Sequence, residues 1–190
     1  KFVTSSFTTA GSACANLGVG PVMVDNVVGV IKAYITRVGE GPMPTELKDA
    51  LGVMMREKGA EYGTTTGRAR RCGWFDVVLG LKSVHLNGYT ELALTKLDVL
   101  TGINPIKICV GYDLDGETLG YPPESTVDLA RCKPIYEDMP GWTEDITETK
   151  EYDDLPENAR DYVERLEDLL YIEPLDNCIS AVSVGPGREQ

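Results

Sequence analysis

The chain has 190 residues, 42% of them hydrophobic, with 18 Lys and Arg against 30 Asp and Glu for a formal net charge of −12. That suffices for one domain with a real core, or a large lobe of a bigger one, and excludes a broad cationic face of the kind generic nucleic-acid binding needs. No apolar run approaches the roughly 18 residues of a membrane span, and the start KFVTSSFTTAG lacks the basic flank and apolar stretch of a signal peptide.

In chain order, residues 1–20 are rich in Gly, Ser and Thr and read as a loop closed by Pro21. Val22–Thr36 places Val24, Val27, Val28, Ile31 and Ala33–Ile35 at helical spacing and predicts a helix. GEGPMP (Gly39–Pro44) is a turn, after which Thr45 is expected to cap a helix through Lys58, closed by Gly59. Asp76 is expected to cap another, with Val77, Val78, Leu81, Val84 and Leu86 apolar and Gly88 ending it. Leu92–Thr95, Lys107–Tyr112 and Pro134–Tyr136 predict strands, with DLDGET (Asp113–Thr118) as a hairpin turn. Leu155–Leu170 is an acidic amphipathic helix with Ala159, Tyr162, Val163, Leu166 and Leu170 on one side, and Ile179–Val184 is an apolar strand entering GPG. The mixture is α/β, with ligands expected in loops at strand ends.

Charge and cysteine placement refine this outline. Glu137–Asp176 carries 15 acidic and 3 basic residues, a net of −12, so the rest of the chain is balanced. The five cysteines are scattered without a CxxC pair, which predicts free thiols in a reducing, cytoplasmic setting rather than disulfides or zinc. His85 is the sole histidine, so no histidine triad or histidine metal cluster can be assembled, and it reads as a surface or half-buried helix residue.

Three stretches carry chemistry. GTTTGRARRCGW (Gly63–Trp74) gathers hydroxyls from Thr64, Thr65 and Thr66 with the forked cations of Arg68, Arg70 and Arg71. Gly63 and Gly67 allow close backbone approach, so the loop suits a small carboxylate or phosphate. The alternative is a solvated basic turn paired with the acidic segment. TKLD (Thr95–Asp98) puts a carboxylate at a strand end, where it can accept from the N1–H and 2-amino group of guanine while rejecting adenine. An ordinary strand-end salt bridge is the alternative there. SVGPG (Ser183–Gly187) either brings backbone amides to a base or ribose or simply turns the chain.

Taken together, VTSSFTTAG, KAYITRVGEGPMPTEL, GAEYGTTTGRARRCGWFD, LALTKLDVLTG, YEDMPGW and VSVGP resemble the adenylosuccinate synthetase family over essentially the whole chain. The resemblance implies an α/β, P-loop-NTPase-like fold with a mostly parallel sheet flanked by helices, of which this chain is the C-terminal portion, 1–190, as part of a single domain. It implies a ligase that joins IMP and L-aspartate while converting GTP to GDP and phosphate with Mg2+, through 6-phosphoryl-IMP. An aspartate loop at 63–74 would use Thr64, Thr65, Thr66, Gly67, Arg68, Ala69 and Arg70. Arg68 would also contact IMP, together with Thr4 in an IMP loop near 1–12, where Phe7 and Ser12 depart from the family's pattern. Arg70 would also reach GTP, with Lys96, Leu97 and Asp98 (segment 95–98) and Ser183, Val184 and Gly185 (segment 183–187) around the guanine.

Arg70 is the one residue here that the resemblance offers for transition-state charge. The phosphate loop, the catalytic Asp and His and the Mg2+ ligands would lie in an N-terminal half absent from this chain, so no metal ligand is expected here. The family pattern further implies a cytoplasmic homodimer without nucleic-acid or membrane partners. Two rivals are a guanine-nucleotide-binding module without catalysis and a structural paralogue that keeps only the fold.

Overall fold

A computed structural model of the protein describes residues 7–171 and 178–187. Its central feature is a parallel three-stranded sheet in the order β1 (Val28–Lys32), β5 (Glu91–Thr95), β9 (Ile179–Val182). β1 and β5 run in continuous register from Val28 opposite Glu91 to Lys32 opposite Thr95. A second sheet is built on the long strand β6 (Ile106–Leu114), which pairs in parallel with β4 (Phe75–Asp76) and antiparallel with β7 (Glu117–Leu119) and β8 (Lys133–Met139). β2 (Ile35–Arg37) and β3 (Arg71–Gly73) form a small antiparallel ribbon. The α/β class read from sequence holds, with parallel pairing at the sheet centre and antiparallel hairpins added at the second sheet.

The helices start where a side chain satisfies their free amides. Asp49 caps α2 (Ala50–Lys58) by accepting from the Leu51 and Gly52 amides, both at 3.1 Å. Asp76 caps α3 (Val77–Asn87) from the Leu79 amide, also 3.1 Å away, and Gly88 ends it in the left-handed region at φ +59°, where a side chain would be strained. After the short α4 (Thr126–Arg131), α5 (Glu157–Leu170) turns Ala159, Tyr162, Val163, Leu166 and Leu170 into the core, the same face its sequence marks. The Tyr162 hydroxyl donates to the Ala33 carbonyl at 2.7 Å, fastening α5 to the chain just beyond β1.

Three expectations are corrected. Residues 22–36 are not a helix: β1 and β2 lie there, after a 3-10 turn at Pro21–Met23, because β-branched Val28, Val30 and Ile31 find a partner in β5. The N-terminal stretch is not all loop, since α1 (Ala10–Leu17) forms and closes on Gly18 at φ +68°. Thr45 does not cap α2: Asp49 does, and Thr45 is buried four residues upstream. The expected end of α3 at Gly88, the β6–β7 turn and α5 all appear as read. The five cysteines are free, with Cys72, Cys109, Cys132 and Cys178 buried, and His85 is an exposed α3 residue stacked on Tyr121.

Candidate functional site

Parallel strands aim their carboxyl ends in one direction, and the loops that leave those ends form the usual ligand crevice of an α/β sheet. Here β1 ends at Lys32, β5 leads into Lys96–Asp98, and β9 leads into Ser183–Gly185. The last two segments are joined directly. The Ser183 amide donates to the Leu94 carbonyl at 2.7 Å, and the Leu97 amide donates to the Ser183 carbonyl at 3.3 Å. Lys96 adopts the left-handed backbone region at φ 62°, which turns the chain off the strand and into the 3-10 turn Leu97–Leu100. Leu97 and Val184 are buried beneath this surface, while Asp98 is half-buried.

Among the described residues Asp98 forms no ion pair of the kind expected for a strand-end salt bridge, and its Oδ1 is buried without a hydrogen-bond partner. Burial pushes its carboxyl above the ordinary carboxylate value, against the pull of its own amide, of Lys58 and Lys96 and of the Val99 amide. An orphaned buried acceptor is costly unless something donates to it. Two parallel N–H donors, as on the edge of a guanine, match that need.

The basic loop is a tight hairpin. The Gly63 amide donates to the Arg68 carbonyl and the Gly67 amide to the Gly63 carbonyl, both at 2.8 Å, with Gly67 at φ +63°. Thr64, Thr65, Thr66, Arg68 and Ala69 are exposed on its tip, where the Arg68 amide donates to Thr66 Oγ1 at 3.3 Å. Arg70, at the base, turns inward and donates to Glu61 Oε2 at 2.6 Å. Arg71 points elsewhere, forming a two-pronged pair with Glu46 and donating to the carbonyls of Gly39 and Gly41. Among the described residues the two arginines pair with Glu61 and Glu46 and not with the acidic segment. Thr4 lies outside the described residues.

Glu61, absent from the sequence-derived site, connects the loop to the sheet. Its side chain is 0% exposed and is met by Lys32 from β1, Arg70 from the loop and, at 3.9 Å, Lys96 from the turn after β5. Burial alone would raise its carboxyl, but bonds from Lys32, Arg70 and Tyr34 outweigh that and hold it below the ordinary value. The only sequence signal was its place in GAEYG, immediately before the loop. Among the described residues no group of three His, Cys, Asp or Glu side chains is arranged to hold a metal, and a cluster rich in cations repels one. None of the described helices is long and apolar enough to cross a membrane.

A parallel sheet with a cationic cluster and a carboxylate oxygen without a partner at its carboxyl edge marks the chain as an α/β domain of the class that places its sites at strand ends. Comparison with known proteins gives that class a family. The family model for adenylosuccinate synthetase matches residues 1–190. Adenylosuccinate synthetases of Methanothrix thermoacetophila and Methanosarcina barkeri are 73% and 64% identical over the whole chain, which spans 44% of each relative's length. A solved structure described as fully ligated adenylosuccinate synthetase from Plasmodium falciparum superposes with a TM-score of 0.92 at 43% identity, over 98% of this chain and 44% of that one. The chain belongs to the adenylosuccinate synthetase family.

Proposed function

We propose that this chain is the C-terminal portion of an adenylosuccinate synthetase and supplies its aspartate- and guanine-binding surfaces. The whole protein is then a cytoplasmic, homodimeric ligase in purine synthesis. It phosphorylates the 6-oxygen of IMP with GTP, and the amine of L-aspartate displaces that phosphate to form the new carbon–nitrogen bond. Mg2+ would neutralise triphosphate charge when bound, on ligands we assign to the rest of the protein.

The observation that carries the reading is the joint placement of Lys96–Asp98 and Ser183–Gly185 at the carboxyl edge, with Arg70 one carboxylate away. Asp98 accepts from the guanine N1–H and 2-amino group, flanked by Lys96 and Leu97 and by the Ser183, Val184 and Gly185 turn. Thr64, Thr65, Thr66, Gly67 and Ala69 present hydroxyls and amides to the substrate aspartate. Arg68 spans the aspartate carboxylate and IMP, with Thr4 as a second IMP contact. Arg70 faces both aspartate and the transferring phosphoryl group, where a fixed guanidinium stabilises developing charge.

A coupled assay tests this. The full-length protein should release GDP and phosphate only when GTP, IMP and aspartate are all present, and the 190-residue segment alone should show no turnover. Turnover by the full-length protein without IMP or aspartate would contradict the reading, and stoichiometric turnover by the segment would contradict its division of labour.

A further inference from the structure

Glu61 is surrounded in a way that a simple surface ion pair does not require. Its Oε1 accepts from Tyr34 at 2.7 Å and Lys32 at 2.8 Å, and its Oε2 from Lys32 at 2.9 Å and Arg70 at 2.6 Å. A carboxylate offers about four lone-pair positions, so this one is filled by the protein and has none left for a ligand. The three cations around it are not matched in the same way. Lys32, Arg70 and Lys96 share this one carboxylate, and even with Asp98 near enough to act on Lys96 the cations outnumber the acids, while these side chains remain 26%, 26% and 36% exposed. Arg71 differs in using both prongs of its guanidinium on Glu46, a carboxylate it shares only with the exposed Lys48 at 3.8 Å, and in spending its remaining donors on carbonyls.

The backbone holds Glu61 from both sides. Its amide donates to the Arg56 carbonyl at 2.8 Å, and its carbonyl accepts from the Arg70 amide at 2.9 Å. Gly59 is needed beside it, since a Cβ there would lie 2.2 Å from the Tyr34 hydroxyl and 3.2 Å from Glu61 Cγ. The carbonyl of Gly59 also accepts from Lys96 at 2.6 Å. Three cations from three separate elements are therefore set by one short segment, Gly59–Glu61.

We infer that Glu61 is a positioning residue that presets Arg70 and Lys96 for the anionic ligands, holding the aspartate loop and the guanine segment in one geometry without touching substrate itself. The inference rests on the functional reading above and adds a residue to it. A buried carboxylate fixes the guanidinium before the ligand arrives, so less side-chain entropy is lost on binding.

The test is a double-mutant cycle in the full-length protein, with Glu61→Gln, Arg70→Ala and the pair, and KM and kcat measured for each substrate. Glu61→Gln should raise KM for aspartate and for GTP about tenfold each while KM for IMP stays within about twofold, and in the Arg70→Ala background its effect on aspartate should shrink to about twofold. Equal changes in all three KM values, or an undiminished effect beside Arg70→Ala, would show a merely structural role and overturn the inference while leaving the functional reading intact. If Glu61→Gln does not fold, Glu61→Asp, which keeps the charge but withdraws it by one methylene, carries the same cycle with the same two outcomes. A folded wild-type protein with no GTP-dependent turnover would instead overturn the functional reading, and the inference with it.

Discussion

Glu61 and Asp76 are both carboxylates within 1% of full burial, yet they meet opposite surroundings. Asp76 sits at the end of β4, caps α3 through the Leu79 amide and accepts from the Tyr112 hydroxyl at 2.6 Å. No cation approaches it among the described ion pairs, and burial pushes its carboxyl up despite those hydrogen bonds. Glu61 sits at the sheet's carboxyl edge, ringed by cations that hold its carboxyl down. A buried acid served by neutral donors closes a helix and completes a core, whereas one served by surplus cations organises a surface that still wants an anion.

The sharpest way to break this contrast is Asp76→Ala. It removes a helix cap and leaves the Tyr112 hydroxyl buried without its acceptor, so urea unfolding of the full-length protein should show a loss of about 3 kcal/mol. Nucleotide and aspartate affinities of the folded fraction should be unchanged. Arg70→Ala should behave in reverse, weakening aspartate binding by about 2 kcal/mol, roughly thirtyfold, because a charge-assisted guanidinium contact is lost. Its unfolding free energy should fall by less than in Asp76→Ala, by about 1 kcal/mol, since Lys32 and Tyr34 still serve Glu61. Affinity loss in Asp76→Ala, or none in Arg70→Ala, would erase the distinction. Tyr112→Phe should cost about 1 kcal/mol of stability, for one buried hydrogen bond, without touching ligand binding.

The smallest effect is on pH dependence, and there the two acids differ in sign. The folded-state value of Glu61 is depressed, so its contribution is present above the unfolded value and is lost as pH falls through the folded one. That of Asp76 is raised, so its contribution is present below the unfolded value and is lost as pH rises through the folded one. Melting temperatures followed across the acid range should therefore fall less steeply on acidification in Glu61→Gln than in wild type. They should fall more steeply in Asp76→Asn.

The sequence shows local structure better than the links between distant segments. α3 was legible because its cap, apolar spacing and terminal glycine lie within thirteen consecutive residues, Asp76–Gly88. α5 was legible because five apolar side chains share one helical face. β1 was not, because its valines fit either period and the deciding partner, β5, lies more than fifty residues downstream. Asp49 was overlooked as a cap because Thr45 offers the same chemistry four residues earlier, although Thr45 is in fact buried with an unpartnered hydroxyl.

The site divides along the same line. The hairpin of residues 63–70 and the TKLD and SVGPG turns could be named from their residue types. That Ser183 is bonded to both the Leu94 carbonyl and the Leu97 amide could not, since only the parallel sheet brings them together. Glu61 was invisible for the same reason, since its partners Lys32 and Lys96 lie 29 and 35 residues away on either side.

The central claim is that the carboxyl edge of the β1–β5–β9 sheet reads guanine through Asp98. Calorimetric titration of the full-length protein with Mg-GTP and Mg-ATP, in wild type and Asp98→Asn, tests it most directly. Wild type should prefer GTP by about a hundredfold, and the variant should lose that preference because the amide cannot accept from both guanine donors. Equal affinity for the two nucleotides in wild type, or a preference that survives in Asp98→Asn, would contradict the account.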